Sequence, residues 1–154
     1  MSDLWPDNLA DIGNLQVPSM ILKEQADILA KKTRNILEGN VFSSTDRDSE
    51  DPHQIIWHFQ IFSPALRYSY ELFSITHNVE LYPVCFFSDD PEIATAGQLG
   101  MLSDEQELIA LLRRVFSTGR TLRIIKSLVA QSISLQPKPT QNSKHATDND
   151  DIPF

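Results

Sequence analysis

The sequence predicts an α+β fold: a two-layer sandwich in which a helix, a three-stranded antiparallel meander and two helices follow one another along the chain. Three observations carry this. Apolar residues recur at helical spacing at both ends of the first 135 residues, and three strand-like segments lie between them. The breaks between those segments are too short for crossover helices, which leaves antiparallel pairing. At 154 residues and 41% hydrophobic content the chain has enough apolar side chains for one core. The expected division is a single domain over residues 1–135 and a tail over residues 136–154.

An irregular N-terminal segment runs to about Pro18, with Trp5 expected against the body. The first helix is expected over residues 19–38, from Leu22, Ala26, Leu29, Thr33 and Ile36, with Gly39 as its stop. Lys23, Lys31, Lys32 and Arg34 fall on its solvated faces. "SSTDRDSEDP" has no periodicity and reads as an exposed loop. In "QIIWHFQIF", Ile55, Trp57, Phe59 and Ile61 share one face of a strand. After Ser63-Pro64, Leu66, Tyr68, Tyr70 and Leu72 alternate with Arg67, Ser69 and Glu71 in a second strand. "VELYPVCFF" is the third. Pro83 donates no hydrogen bond, so this strand lies at an edge or begins after the proline.

Residues 88–102 read as an acidic connection. Ser103 and Gln106 form an expected capping box, opening a helix with Leu108, Leu111, Leu112 and Val115 inward and Gly119 at its end. Thr121 starts the last helix, carrying Leu122, Ile125, Leu128 and Val129. No internal repeat is visible.

The net charge of -8 argues against general nucleic-acid binding. No basic stripe interleaves with aromatics as stacking platforms, so tight binding of single-stranded DNA is not expected. No run of 18 apolar residues exists, so no membrane span is expected. The opening "MSDLWPDNLADIGNL" has three aspartates and no basic residue, unlike a signal or transit peptide. The single cysteine, Cys85, excludes an internal disulfide, makes the cytoplasm the expected compartment, and reads as a small buried strand residue.

Motifs for catalysis are lacking, and the chain reads as a non-enzyme without cofactor or metal. His53, His58, His77 and His145 show no metal-ligand spacing, and His58 reads as a half-exposed strand residue rather than a general base. Asp89, Asp90 and Glu92 have the chemistry to hold a cation, but as loop acids beside a proline they read as solvated turn residues. Charge is segregated, however. Residues 89–107 carry acids and no base, while Arg113, Arg114, Arg120, Arg123 and Lys126 follow with no acid among them. Those five form a candidate anion patch for a phosphate backbone or an acidic peptide, weighed against ordinary charged helix faces.

From Gln136 onward, "QPKPTQNSKHATDNDD" contains one alanine and no other apolar residue. Such a composition cannot offset the entropy of ordering and is expected to stay disordered. Yet the chain closes on "DNDDIPF". Phe154 offers a ring and an α-carboxylate on one residue, suited to a pocket with an apolar floor and a basic rim. Pro153 limits the freedom lost on binding, Ile152 adds an apolar contact, and Asp148, Asp150 and Asp151 steer the tip towards positive charge.

At "DDIPF" the chain resembles the C-terminal tip of bacterial single-stranded DNA-binding proteins, where an acidic run precedes Ile-Pro-Phe. The resemblance covers five to seven residues and the polar, proline-containing linker; Asn149 interrupts the acids. The body does not resemble that family's oligonucleotide-binding barrel. The resemblance implies partners among DNA repair, replication-restart and recombination enzymes, engaged by recruitment or by competitive mimicry. The alternative expectation is a small acidic immunity or inhibitor protein whose body masks a toxin or nuclease. The chain's own body is a further expected destination for the tip. Nineteen residues from Gln136 to Phe154 span roughly 25 Å as a flexible chain, so the basic patch lies within reach, although sequence cannot show a pocket beside it.

Overall fold

The computed structural model describes residues 2–45, 53–97 and 100–135. Its elements are α1 (Pro18–Lys32), β1 (Glu38–Ser44), β2 (Ile55–Ser63), β3 (Tyr68–His77), β4 (Val84–Phe87), α2 (Pro91–Ala96), β5 (Met101–Leu102), α3 (Glu105–Phe116) and α4 (Gly119–Leu135). The architecture is α+β: a helix, an antiparallel sheet, then helices. The sheet has five strands in the order β1-β2-β3-β4-β5, all antiparallel, so the expected meander gains a strand on each side.

The helices cover one face. Val41, Trp57, Phe59, Ile61, Phe73 and Ile75 point towards them, and Leu22, Leu108, Leu111, Leu112, Val115 and Leu128 close the core from the helical layer. The opposite face carries Phe42, His58, Gln60, Glu71, Ser74, Cys85, Phe87 and Met101. Cys85 lies on this open face and is half-buried rather than buried.

α1 ends at Lys32, six residues before the expected end at Glu38. Asn35 donates its N–H to the Ala30 carbonyl (2.7 Å) and Arg34 to the Lys31 carbonyl (3.2 Å). That is a Schellman closure, with Arg34 and Asn35 at φ of 54° and 63°. A glycine normally marks this turn; without one, the helical spacing of Thr33 and Ile36 hides it. Thr33 reinforces the closure by accepting the Leu37 N–H (3.2 Å). Gly39 does something else. It sits in β1 where α1 crosses, and a Cβ there would lie 2.5 Å from the Ala26 Cβ. Gly39→Ala is therefore expected to lower unfolding free energy by about 1–3 kcal/mol through overpacking. The readout is a reduced urea midpoint at unchanged slope; an unaltered midpoint would contradict the close α1–β1 seat.

A bulge explains why alternation in the second expected strand breaks. Phe59 pairs with Phe73, but Gln60 pairs with Glu71, so Leu72 is the extra residue. Leu72 and Phe73 are consequently both buried. β4 begins immediately after Pro83 and is flanked by β3 and β5.

Three further boundaries move. The expected loop "SSTDRDSEDP" begins with β1 residues Ser43 and Ser44, and residues 46–52 lie outside the described ones. The capping box shifts by one residue: the Asp104 carboxylate accepts the Glu107 N–H (2.9 Å), and Glu107 accepts the Ser103 N–H (2.6 Å). Gly119 opens α4 instead of ending α3, because Thr118 caps the new helix by accepting the Thr121 N–H (3.0 Å). Leu122 is exposed on α4, while Ile125 and Val129 pack partly against the core. Trp5 does not pack on the body; it is 73% exposed. The expected tail over residues 136–154 lies outside the described residues.

Candidate functional site

The chemistry-bearing residues of the body gather in two places, one on each side of the sheet. The first stands where β3, α2 and α4 meet. Asp90 caps α2: its Oδ1 accepts the N–H groups of Glu92 (3.0 Å) and Ile93 (3.2 Å). Its Oδ2 accepts from Arg120 Nε at 2.6 Å and from the Tyr70 hydroxyl at 3.4 Å. Glu92 accepts the Arg120 backbone N–H (2.6 Å) through Oε2 and an Arg123 Nη (3.0 Å) through Oε1. The acidic connection and the basic run that sequence keeps apart therefore neutralise one another here. Asp90 is a structural anchor for α4 rather than a solvated turn acid, whereas Glu92 bonds α4 from a half-exposed position and Asp89 is exposed.

Burial differs between the two pairs. The Asp90 side chain is 9% exposed against 43% for Arg120, whereas Glu92 and Arg123 are 48% and 64% exposed. Burial pushes the Asp90 carboxyl up, but hydrogen bonds from Arg120 and the Ile93 and Glu92 amides outweigh it and hold the group below its ordinary value. Burial, helped by the Asp90 charge, raises the Tyr70 phenol. A carboxylate with a depressed folded pKa stabilises above its unfolded value of about 3.9 and loses that contribution as pH falls through the folded value. Asp90→Asn keeps a capping side chain but loses the charge, at an expected cost of about 1–3 kcal/mol at pH 7. Denaturation midpoints should show this gap constant down to about pH 4 and closing below it. A gap that persists at pH 2 would contradict the assignment.

Beside these pairs runs an open groove of 660 Å³. Leu66, Tyr68 and Tyr70 form its strand side; Ile124, Ser127, Leu128 and Gln131 form its helix side, with Arg120 and Arg123 at one end. The five expected patch residues are thus divided. Arg120 and Arg123 come together on the groove, and Lys126 is exposed on the same helix. Arg114 gives Nε to the Ala96 carbonyl (3.2 Å), and Arg113 lines a separate cleft with Ile21 and Gln25. A further cleft of 390 Å³ between α1 and α4 has an apolar floor of Phe59, Ile61, Leu72 and Phe116, with Lys32 at its wall.

The second gathering lies on the open sheet face and was not legible in sequence. His58 Nδ1 is 2.8 Å from Glu71 Oε1, and its Nε2 is 2.7 Å from the Ser44 hydroxyl, with Phe42 stacked on the ring. The carboxylate only accepts, so Nδ1 carries the proton, and in the neutral ring Nε2 accepts the serine hydroxyl. Each residue comes from a different strand, diagonally related across the sheet, so no sequence spacing announces the trio. Hydroxyl, base and orienting carboxylate are the parts of an activated nucleophile. Acyl transfer also needs donors aimed at the developing oxyanion and a concave substrate site. The groove and the α1–α4 cleft lie on the helical side, and the trio links β1, β2 and β3 across the open face.

His77 is buried, accepting from Trp57 Nε1 (3.1 Å) and donating through Nδ1 to the Asn78 carbonyl (2.7 Å). Burial, then the charges of Glu105 and Asp104, push the Tyr82 phenol up to about 12. Among the described residues no three His, Cys, Asp or Glu side chains are placed to share a metal ion, and no helix is long and apolar enough to cross a membrane. Asp148, Asp150, Asp151, Ile152, Pro153 and Phe154 lie outside the described residues. Comparison with protein-family models, curated proteins and solved structures finds no match for this chain.

Proposed function

We propose that the chain is a non-enzymatic bacterial accessory protein of the cytoplasm that engages DNA-maintenance proteins through residues 148–154. The observation that supports this is the sequence D-N-D-D-I-P-F, with three acids ahead of Ile152, Pro153 and Phe154. An apolar pocket captures the ring, an arginine grips the α-carboxylate through two parallel hydrogen bonds, and a basic ridge meets the aspartates. The body then acts as carrier: it either brings a repair, replication or recombination enzyme to a second site, or occupies the socket otherwise filled by the single-stranded DNA-binding protein.

The premise is a free carboxylate on Phe154, which intact-mass measurement checks. The functional test is affinity capture from a bacterial lysate by the full chain, by a form lacking the last four residues, and by a form with one glycine appended after Phe154. Captured DNA-maintenance enzymes that disappear in both altered forms, and are released by a peptide of the single-stranded DNA-binding protein tip, bear the reading out. Equal capture by all three forms overturns it.

One observation favours a second reading, an immunity- or inhibitor-type protein that binds through its body. Leu4, Trp5, Leu9, Ile12 and Leu15 of the N-terminal segment are all exposed, and so dense a display suits a partner surface. Under that reading, removal of the last four residues leaves partner binding intact.

A further inference from the structure

We propose that the groove between β3 and α4 is a binding site for an acidic peptide ending in a phenylalanine carboxylate, and that its occupant is the chain's own residues 148–154. The inference takes the nature of the tip from the proposed function, but its test needs no partner protein.

The groove meets the two demands of such a tip. Leu66, Tyr68, Tyr70, Ile124 and Leu128 supply an apolar and aromatic lining for the Phe154 ring and Ile152. Arg123 supplies the grip on the carboxylate. A guanidinium carries five N–H donors, and the pair with Glu92 uses one Nη of Arg123. That pair is exposed on both sides, at 64% and 48%, the kind that holds weakly in water. A carboxylate delivered together with a ring competes well against it. Arg120, by contrast, is held by the nearly buried Asp90 and stays as the wall of the site.

Charge favours the same occupant. α4 carries Arg120, Arg123 and Lys126 and no acid along its whole length, while the tip carries Asp148, Asp150 and Asp151. Asp90 and Glu92 oppose this attraction at the α2 end, and Lys126, exposed on α4 outside the groove lining, adds only longer-range steering of the aspartates. Reach is ample. Leu135 ends α4 twelve residues beyond Arg123, about 18 Å along the helix axis. The nineteen residues that follow can extend to about 60 Å. The cleft between α1 and α4 offers a floor for a ring, but Lys32, a point charge, stands where a carboxylate asks for a bidentate guanidinium.

Docking hides Phe154 until a better socket competes for it, so the protein presents its tip conditionally. The test is amide NMR on the full chain at low micromolar concentration, comparing wild type, Phe154→Ala and Arg123→Glu. Phe154→Ala cannot unfold the body, and it should shift the amides of Tyr68, Tyr70, Ser127 and Gln131. In wild type, the amides of Asp150, Asp151, Ile152 and Phe154 should relax with the body, and Arg123→Glu should return them to the fast relaxation of a free chain end. Identical groove amides in wild type and Phe154→Ala overturn the proposal. So do shifts confined to Leu29 and Thr33, which place the tip in the α1–α4 cleft. Shifts that vanish on dilution, with a dimer in sedimentation, place it in a second copy and overturn docking within the chain. Failure to capture any DNA-maintenance enzyme sinks the proposed function and leaves this result standing.

Discussion

Phe154→Ala is expected to weaken binding of the chain to a basic-rimmed socket by roughly tenfold to a hundredfold, because a buried phenylalanine contributes about 1.5–3 kcal/mol. The starting affinity is micromolar in order, since a short polar segment gives up ordering entropy when it binds. Fluorescence anisotropy with a labelled peptide of residues 146–154 measures this directly, free of any competition from the groove. Appending one glycine should cost as much as the alanine, since it moves the carboxylate away from the ring. Asp150→Asn with Asp151→Asn should act differently: weaker binding at low salt, and a flatter dependence on ionic strength. Equal binding by the wild-type and alanine peptides would remove the tip from consideration.

The residues proposed as the tip stand out in the sequence for a chemical reason. A ring, a proline and clustered acids in a segment otherwise stripped of apolar side chains stand out without knowledge of any contact. The core is legible for the opposite reason: Leu108, Leu111, Leu112 and Val115 repeat at helical spacing, and all are buried in α3. What sequence hides is whatever depends on a neighbour distant along the chain. β1 has no alternation of its own and exists because Val41 and Phe42 find Phe59 and His58 across the ladder. The end of α1 rests on Arg34 and Asn35 adopting a turn that glycine usually marks. The Ser44–His58–Glu71 line joins residues on three strands. The groove depends on Tyr68 and Tyr70 meeting Ile124 and Leu128 from the far end of the chain, so sequence places the arginines on α4 but not the apolar wall beside them. The ion pairs of Asp90 and Glu92 are hidden likewise, because segregated charge in sequence says nothing of what folds back on what.

Phe73→Ala is expected to be the most damaging single change to the body. Phe73 is fully buried on β3, stacked on Phe59 with ring centroids 5.2 Å apart and the planes 7° from parallel. Phe86 (5.3 Å) and Phe116 (6.0 Å) close around it, so one ring ties β2, β4 and α3 together at the bulge. Truncation removes the buried ring and leaves a cavity that three neighbouring aromatics cannot collapse into without losing their own contacts. The cost is about 3–5 kcal/mol, a large part of the roughly 5–15 kcal/mol that holds a domain of this size. In thermal unfolding that is a fall of roughly 10–25 °C; Phe73→Leu should lose less than half as much. A fall of only a few degrees would mean the aromatic cluster is not the centre of the core. The same variant separates the two halves of the functional argument. Above its lowered midpoint the groove no longer exists, so residues 150–154 should relax as a free chain end. Binding to an external socket, which needs only the tip, should persist under those conditions. Loss of socket binding together with the fold would instead place the partner surface on the body.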